Sequence, residues 1–170
     1  GPVQVPLHPA SAAVSHGPAA VRGRLFNRRG FWEHGAMWTV AGGLAAGVLA
    51  VLWSIWITRR QSRAWSARFP QAERASWALY LLSAALIYVG FAWSASAGWM
   101  RVEIVGVVAY GSLAWLGFRY DRRILAVGWL LHAAWDCWVH ASGAPFVPDW
   151  YRWACLSFDV IAAWWIARRL

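Results

Sequence analysis

The 170-residue sequence contains no lysine, only two cysteines, and no proline between Pro70 and Pro145. Cys137 and Cys155 are too far apart for a CxxC motif and too few for a disulfide framework. The long stretch without proline argues against a barrel of short strands and favours long helices. Only 14% of the residues are charged and 60% are hydrophobic, which excludes a disordered chain and an ordinary soluble domain.

The hydrophobic residues indicate a membrane protein. The mean hydropathy is +0.40, and the sequence contains 16 tryptophans, a residue that is enriched at membrane–water interfaces. Five apolar segments are each close to the length of about 20 residues that a helix needs to cross the hydrocarbon core of a bilayer. We predict an all-α integral membrane bundle of five transmembrane helices in residues 37–170, with spans near 37–57, 77–97, 101–118, 124–142 and 151–167. Residues 1–36, which are rich in proline and arginine, are predicted to be an extramembrane tail with a short interfacial helix near its end.

The sixteen basic residues, all arginine, outnumber seven acidic ones and give a net charge of +9. They flank the apolar segments, which indicates contact with lipid headgroups and gives no reason to expect nucleic-acid binding. The loops after spans one and three and the C-terminus lie on one side of the membrane and carry ten arginines. The other side carries six. The positive-inside rule therefore predicts a cytoplasmic C-terminus and an external tail in a bacterial inner membrane. The bilayer is the expected partner, together with other membrane subunits or further copies of the chain.

Three acidic residues and two histidines lie inside the predicted spans, where such residues are functional candidates. The fourth span carries three of them, His132, Asp136 and His140, spaced four residues apart and therefore on one helical stripe. Glu103 in the third span and Asp159 in the fifth are predicted to lie at similar depth, because both spans begin on the same side. The five side chains are expected to converge in the outer half of the bundle.

Imidazoles and carboxylates together suit a divalent transition metal such as zinc, iron, manganese or copper. The candidate ligands are His132, Asp136, His140, Glu103 and Asp159. The two histidines are about 12 Å apart along the helix, so one ion is not expected to take both directly. Either Asp136 and one histidine bind an ion with Glu103 or Asp159, or Asp136 lies between two sites.

The leading hypothesis is a metal-dependent membrane hydrolase or oxidase that acts on a lipid-like or apolar substrate, with Asp136 and Glu103 as candidate catalytic groups. A second reading is a non-catalytic subunit of a larger, pigment- or cofactor-containing complex, in which the polar cluster is a hydrogen-bond network that fixes helix register. A third is a small proton- or ion-coupled transporter. A fourth places a tetrapyrrole ring over His132, in the clearance left by Gly128 one turn away.

The residue pattern resembles a family of small bacterial integral membrane proteins of unknown function. The resemblance is carried by the GWxxHxxWDxxxH run at 128–140, by a loop with Pro145 and Pro148, and by Cys155-x-x-x-Asp159. Glu103 matches an acidic residue of the preceding span in that family. The resemblance covers about residues 100–167. It implies that the polar cluster is a family feature and brings no activity with it.

Overall fold

The structure, a computed structural model, describes residues 19–65, 71–140 and 144–168, with side chains from residue 36 onward. Those parts are helical and contain no strand. The helices, in chain order, are α1 (Ala19–Trp65), α2 (Ala72–Ala92), α3 (Ala97–Arg119), α4 (Arg122–Trp135) and α5 (Asp149–Arg168). A π-helix over Asp136–His140 follows α4 directly. The chain from Met37 onward forms one compact unit, separate from the unit before it.

The five apolar segments predicted from the sequence all form helices, but α1 and α2 have other bounds than the predicted spans. Helix α2 begins and ends five residues earlier than the predicted span 77–97, because it takes up the helix-forming Ala72, Glu73 and Arg74 and stops at a turn. That turn is closed by hydrogen bonds from Trp93 N to Gly90 O and from Ala95 N to Ala92 O. Helix α1 begins at Ala19, within the segment predicted to be a tail, and residues 1–18 lie outside the described residues.

Within the described residues, three helices are long and apolar enough to cross a membrane, namely the Ala36–Trp65 part of α1, α2 and α3. The distribution of side chains agrees with a lipid environment. Large apolar residues lie on the outside, with Trp38, Trp93 and Trp138 each more than 70% exposed. The five ionisable residues of the predicted cluster are all buried. Polar groups inside and apolar groups outside are the arrangement expected in a membrane.

Arginines gather at one end of the helices. Arg74, at the start of α2, donates a hydrogen bond to the carbonyl oxygen of Phe118, at the end of α3. Arg59, near the end of α1, lies over the ring of Trp165, near the end of α5. The opposite end carries the turn between α2 and α3 and the connection before α5, and we call it the loop end. Helices α1, α3 and α5 therefore run from the loop end to the arginine end.

Two glycines bring α1 into close contact with α5. A Cβ on Gly43 would overlap the Trp150 carbonyl oxygen, and one on Gly47 would overlap the Ala154 carbonyl oxygen. The Ser157 hydroxyl lies 3.0 Å from the Leu44 carbonyl oxygen of α1 and can donate to it. The GxxxG spacing thus allows the backbones to approach, as small residues do in membrane helices.

Candidate metal centre

The fourth predicted span supplies three polar side chains from a helix that changes its winding. His132 lies in the last turn of α4, and Asp136 and His140 are the first and last residues of the π-helix. Residues four apart in an α-helix drift around the axis, and the wider π turn counteracts this drift. All three side chains therefore remain on the buried face. Short π segments of this kind occur often at functional sites.

The five predicted residues form one buried, hydrogen-bonded cluster. His132 Nδ1 lies 2.8 Å from Asp159 Oδ2, which ties α4 to α5. His140 Nδ1 lies 3.0 Å from Asp136 Oδ1, and His140 Nε2 lies 2.9 Å from Glu103 Oε1, which ties the π-helix to α3. Each of the five residues is at most 2% exposed. The cluster thus links three separate helices in an interior with little access to solvent.

Within the cluster, His132, Asp136 and Asp159 offer three ligand atoms that all lie within 4.8 Å of one another. His132 Nδ1 is 2.8 Å from Asp159 Oδ2 and 3.9 Å from Asp136 Oδ2. Two ligands bound about 2.1 Å from a tetrahedral ion are about 3.4 Å apart, so both His132 separations are within about 0.6 Å of that value. The third separation, between Asp136 and Asp159, is at most 4.8 Å. These three residues are able to hold a metal ion after small side-chain movements.

One oxygen of this group makes no hydrogen bond among the described residues. Asp136 Oδ2 is buried and has no hydrogen-bond partner among the described residues, whereas Oδ1 of the same carboxylate accepts from His140. A buried carboxylate oxygen without a partner is unfavourable and is typical of a position that binds an ion or a water molecule.

Glu103 and His140 stand apart from the three-atom group. An ion at either ring nitrogen of His140 would break its hydrogen bond to Asp136 or to Glu103, whereas an ion between His132 and Asp159 would replace the one hydrogen bond that these two ligands share. Glu103 reaches the group only through His140. The structure therefore brings all five predicted ligands together but places the ligand atoms of only three of them around one point.

Aromatic rings enclose both histidines, and one of these rings was missed by the sequence analysis. Tyr88 of α2 stacks on His140 with ring centroids 4.2 Å apart and planes at 20°. Tyr110 of α3 meets His132 edge-on at 5.0 Å and donates its hydroxyl to the Leu131 carbonyl oxygen. An apolar span rich in aromatic residues carries no signal that singles out Tyr88, because its role depends on how α2 packs.

The tetrapyrrole interpretation needs open space beside Gly128, and the structure contradicts it. A Cβ on Gly128 would lie 2.7 Å from Leu81 Cδ2 and 3.5 Å from Leu113 Cβ. The glycine therefore serves the packing of α4 against α2 and α3. In this structure these two leucine side chains occupy the clearance beside Gly128 that the ring would need.

At the loop end, the cluster lies beneath a polar cavity of about 570 Å³ lined in part by His140, Pro148 and Arg152. Arg152 donates to the His140 carbonyl oxygen and forms an ion pair with Asp149. A guanidinium at a carbonyl end of a helix is favourable electrostatically.

Residues 43–169 match the sequence profile of a family of unknown function, DUF6010. The chain belongs to this family. The match runs from α1 to the end of α5 and includes all five residues of the cluster. The sequence-based expectation of a family of unknown function is thus confirmed, and the match includes the first two helices as well. No curated protein and no solved structure matches the chain.

Proposed function

We propose that the protein binds one divalent transition metal ion through His132, Asp136 and Asp159. The observation that carries this proposal is the buried, partnerless Asp136 Oδ2, which lies 3.9 Å from His132 Nδ1. One imidazole and two carboxylates match the ligand preferences of zinc, iron and manganese. Three protein ligands also leave a coordination position open, as catalytic metal sites do.

Charge balance supports the same assignment. Three carboxyl groups, those of Glu103, Asp136 and Asp159, are buried with only two imidazoles. With the carboxyl groups ionised, His140 must be an imidazolium, because each of its ring nitrogens donates to a carboxylate. With His132 neutral, the cluster then carries two negative charges in a medium of low dielectric constant. Uncompensated buried charge is strongly unfavourable, and a divalent cation offsets it.

We propose further that the protein is an enzyme that acts on a lipid-like or apolar molecule. The bound ion would supply a Lewis acid or a redox centre. Asp136 would hold the ion with Oδ2 and keep His140 in place with Oδ1. Glu103 would act through His140, to which it is hydrogen bonded, as a positioning group.

In this proposal all five helices cross a bacterial inner membrane. The large exposed side chains of the π-helix and α5, such as Trp138, Val160 and Trp164, are apolar, as lipid-facing residues are. With the arginine end in the cytoplasm, the metal site lies in the outer half of the bilayer and the C-terminus is cytoplasmic. A topology reporter fused to the C-terminus tests this orientation. A reporter found on the external side of the membrane would contradict it.

The metal content of detergent-purified protein, prepared without chelator or a nickel column, tests the proposal. We expect about one equivalent of a transition metal in the wild type and little in Asp136→Asn, because the amide loses the charge. The amide oxygen still accepts from His140, so this variant should remain folded. Asp149→Asn, which changes an exposed carboxylate outside the cluster, is the matched control and should retain the ion.

A second function, that of a non-catalytic membrane subunit, is favoured by one observation. His140 has both nitrogens satisfied by carboxylates, as in a network that fixes helix register. A folded wild type without metal, together with an Asp136→Asn variant of lower thermal stability, would support this function and contradict the metal site.

A further inference from the structure

An apolar cleft of about 330 Å³ runs along α5, between α1 and α2. Its walls include Ala46 and Ala50 of α1 and Ala84 and Ile87 of α2. Most of the lining side chains are small or aromatic, and Asp159 is the only acidic residue among them. The volume lies at the lower end of the range found for small-molecule pockets.

The cleft reaches the proposed metal site from the side of α5. Asp159 belongs both to the wall of the cleft and to the group of three ligand atoms. Cys155, one turn before Asp159, lines the same wall. A molecule in the cleft would therefore contact a residue that the proposed function assigns to the ion.

The mouth of the cleft faces the bilayer. Ala46, Ala50 and Ile87 are exposed on the outside of α1 and α2, and both helices are apolar enough to cross the membrane. A guest that arrives from this side must first dissolve in hydrocarbon. The hydrocarbon chains of membrane amphiphiles meet this requirement, because they form the bilayer core that the mouth of the cleft faces.

We propose that this cleft binds one long hydrocarbon chain of a membrane amphiphile and holds it beside Asp159. The proposal deepens the proposed function, on which it rests for its catalytic meaning, by assigning the substrate to long-chain amphiphiles. Binding of the chain requires only the shape and the apolar lining of the cleft. Failure of the metal site would therefore leave the binding test interpretable.

The probe is a long-chain fatty acid with a diazirine in mid-chain, added to the full-length protein in phosphatidylcholine vesicles. After irradiation, mass spectrometry locates the labelled residues. We expect the adducts to concentrate on the cleft walls of α1, α2 and α5. Labelling confined to exposed residues that do not line the cleft, such as Leu49 and Leu86, would overturn the proposal. Cross-links showing that a second copy of the chain occupies the cleft would do so as well.

Ala50→Phe fills the cleft, and Ala45→Phe is its matched control. Ala45 is exposed on the same helix but does not line the cleft. We expect Ala50→Phe to reduce labelling of the cleft walls by about five-fold or more, since a large side chain must be displaced before the probe binds. Ala45→Phe should label like the wild type. Equal labelling of the two variants would refute the proposal.

Metal content measured on the same samples separates the two proposals. Ala50→Phe should keep the metal content of the wild type, because Ala50 is not a ligand. A wild type that lacks metal but shows labelling sensitive to Ala50→Phe would contradict the metal site and support the cleft. A wild type that contains metal but shows no specific labelling would support the metal site and contradict the cleft.

Discussion

Gly42 and Gly47 lie on the same helix but have different surroundings, which makes them a matched pair for testing how α1 packs on α5. A Cβ on Gly47 would overlap the Ala154 carbonyl oxygen and the Ser157 hydroxyl, whereas a Cβ on Gly42 would meet nothing within 4 Å. Because the Ala154 oxygen belongs to the backbone, the overlap can be relieved only if the helices move apart. The two Gly→Ala changes therefore test the same chemistry in two environments.

We expect Gly47→Ala to lower the free energy of unfolding by about 1–3 kcal/mol, the usual effect of overpacking. Gly42→Ala should raise it by about 0.5–1 kcal/mol through the higher helix propensity of alanine. The two variants should then differ by about 1.5–4 kcal/mol. Unfolding of the purified protein in mixed micelles, followed by circular dichroism, measures the difference. Equal stabilities would show that α1 does not contact α5 at Gly47 and would refute the packing described above.

Three other outcomes follow from the packing and the cluster. Gly117→Ala should destabilise the protein by about 1–3 kcal/mol in the same assay, because a Cβ there would lie 2.8 Å from the backbone nitrogen of Leu125; an unchanged stability would contradict the close turn between α3 and α4. His140→Phe should lower the free energy of unfolding by about 3–5 kcal/mol, because Glu103 and Asp136 lose their shared partner. The folded fraction should keep its metal. Loss of metal without loss of stability would instead identify His140 as a ligand. A chelator should lower the melting temperature of the wild type and leave that of Asp136→Asn unchanged. The reason is that a free ion concentration of about 100 times the Kd stabilises the folded protein by about 2.7 kcal/mol. Equal shifts in both proteins would place the ion elsewhere.

The helices and the meeting of the polar residues were predictable from the sequence because each depends on a local pattern. The four-residue spacing of His132, Asp136 and His140 defines a stripe. The starting sides of the third and fifth spans place Glu103 and Asp159 at similar depth. These inferences require only the rise of a helix and the alternation of span direction.

The finer geometry depended on contacts that a single sequence does not contain. The π turn at Asp136–His140 contains no glycine or proline that would mark it in the sequence. This turn directs the His140 side chain toward Glu103, so that His140 lies outside the group of three ligand atoms. The stacking of Tyr88 on His140 and the cleft between α1 and α2 depend on the order of helices around the bundle. Loop lengths do not determine that order. The early end of α2 results from a turn that hydropathy alone does not show.

The ligand set of the ion tests the central claim most directly. X-ray absorption at the edge of the metal that copurifies with the wild-type protein reports the atoms bound to it. We predict one imidazole nitrogen and two carboxylate oxygens at about 2.0–2.2 Å, with the remaining position taken by a water oxygen. A shell with two imidazoles, or one made only of solvent oxygens, would contradict the assignment of His132, Asp136 and Asp159 as the ligands.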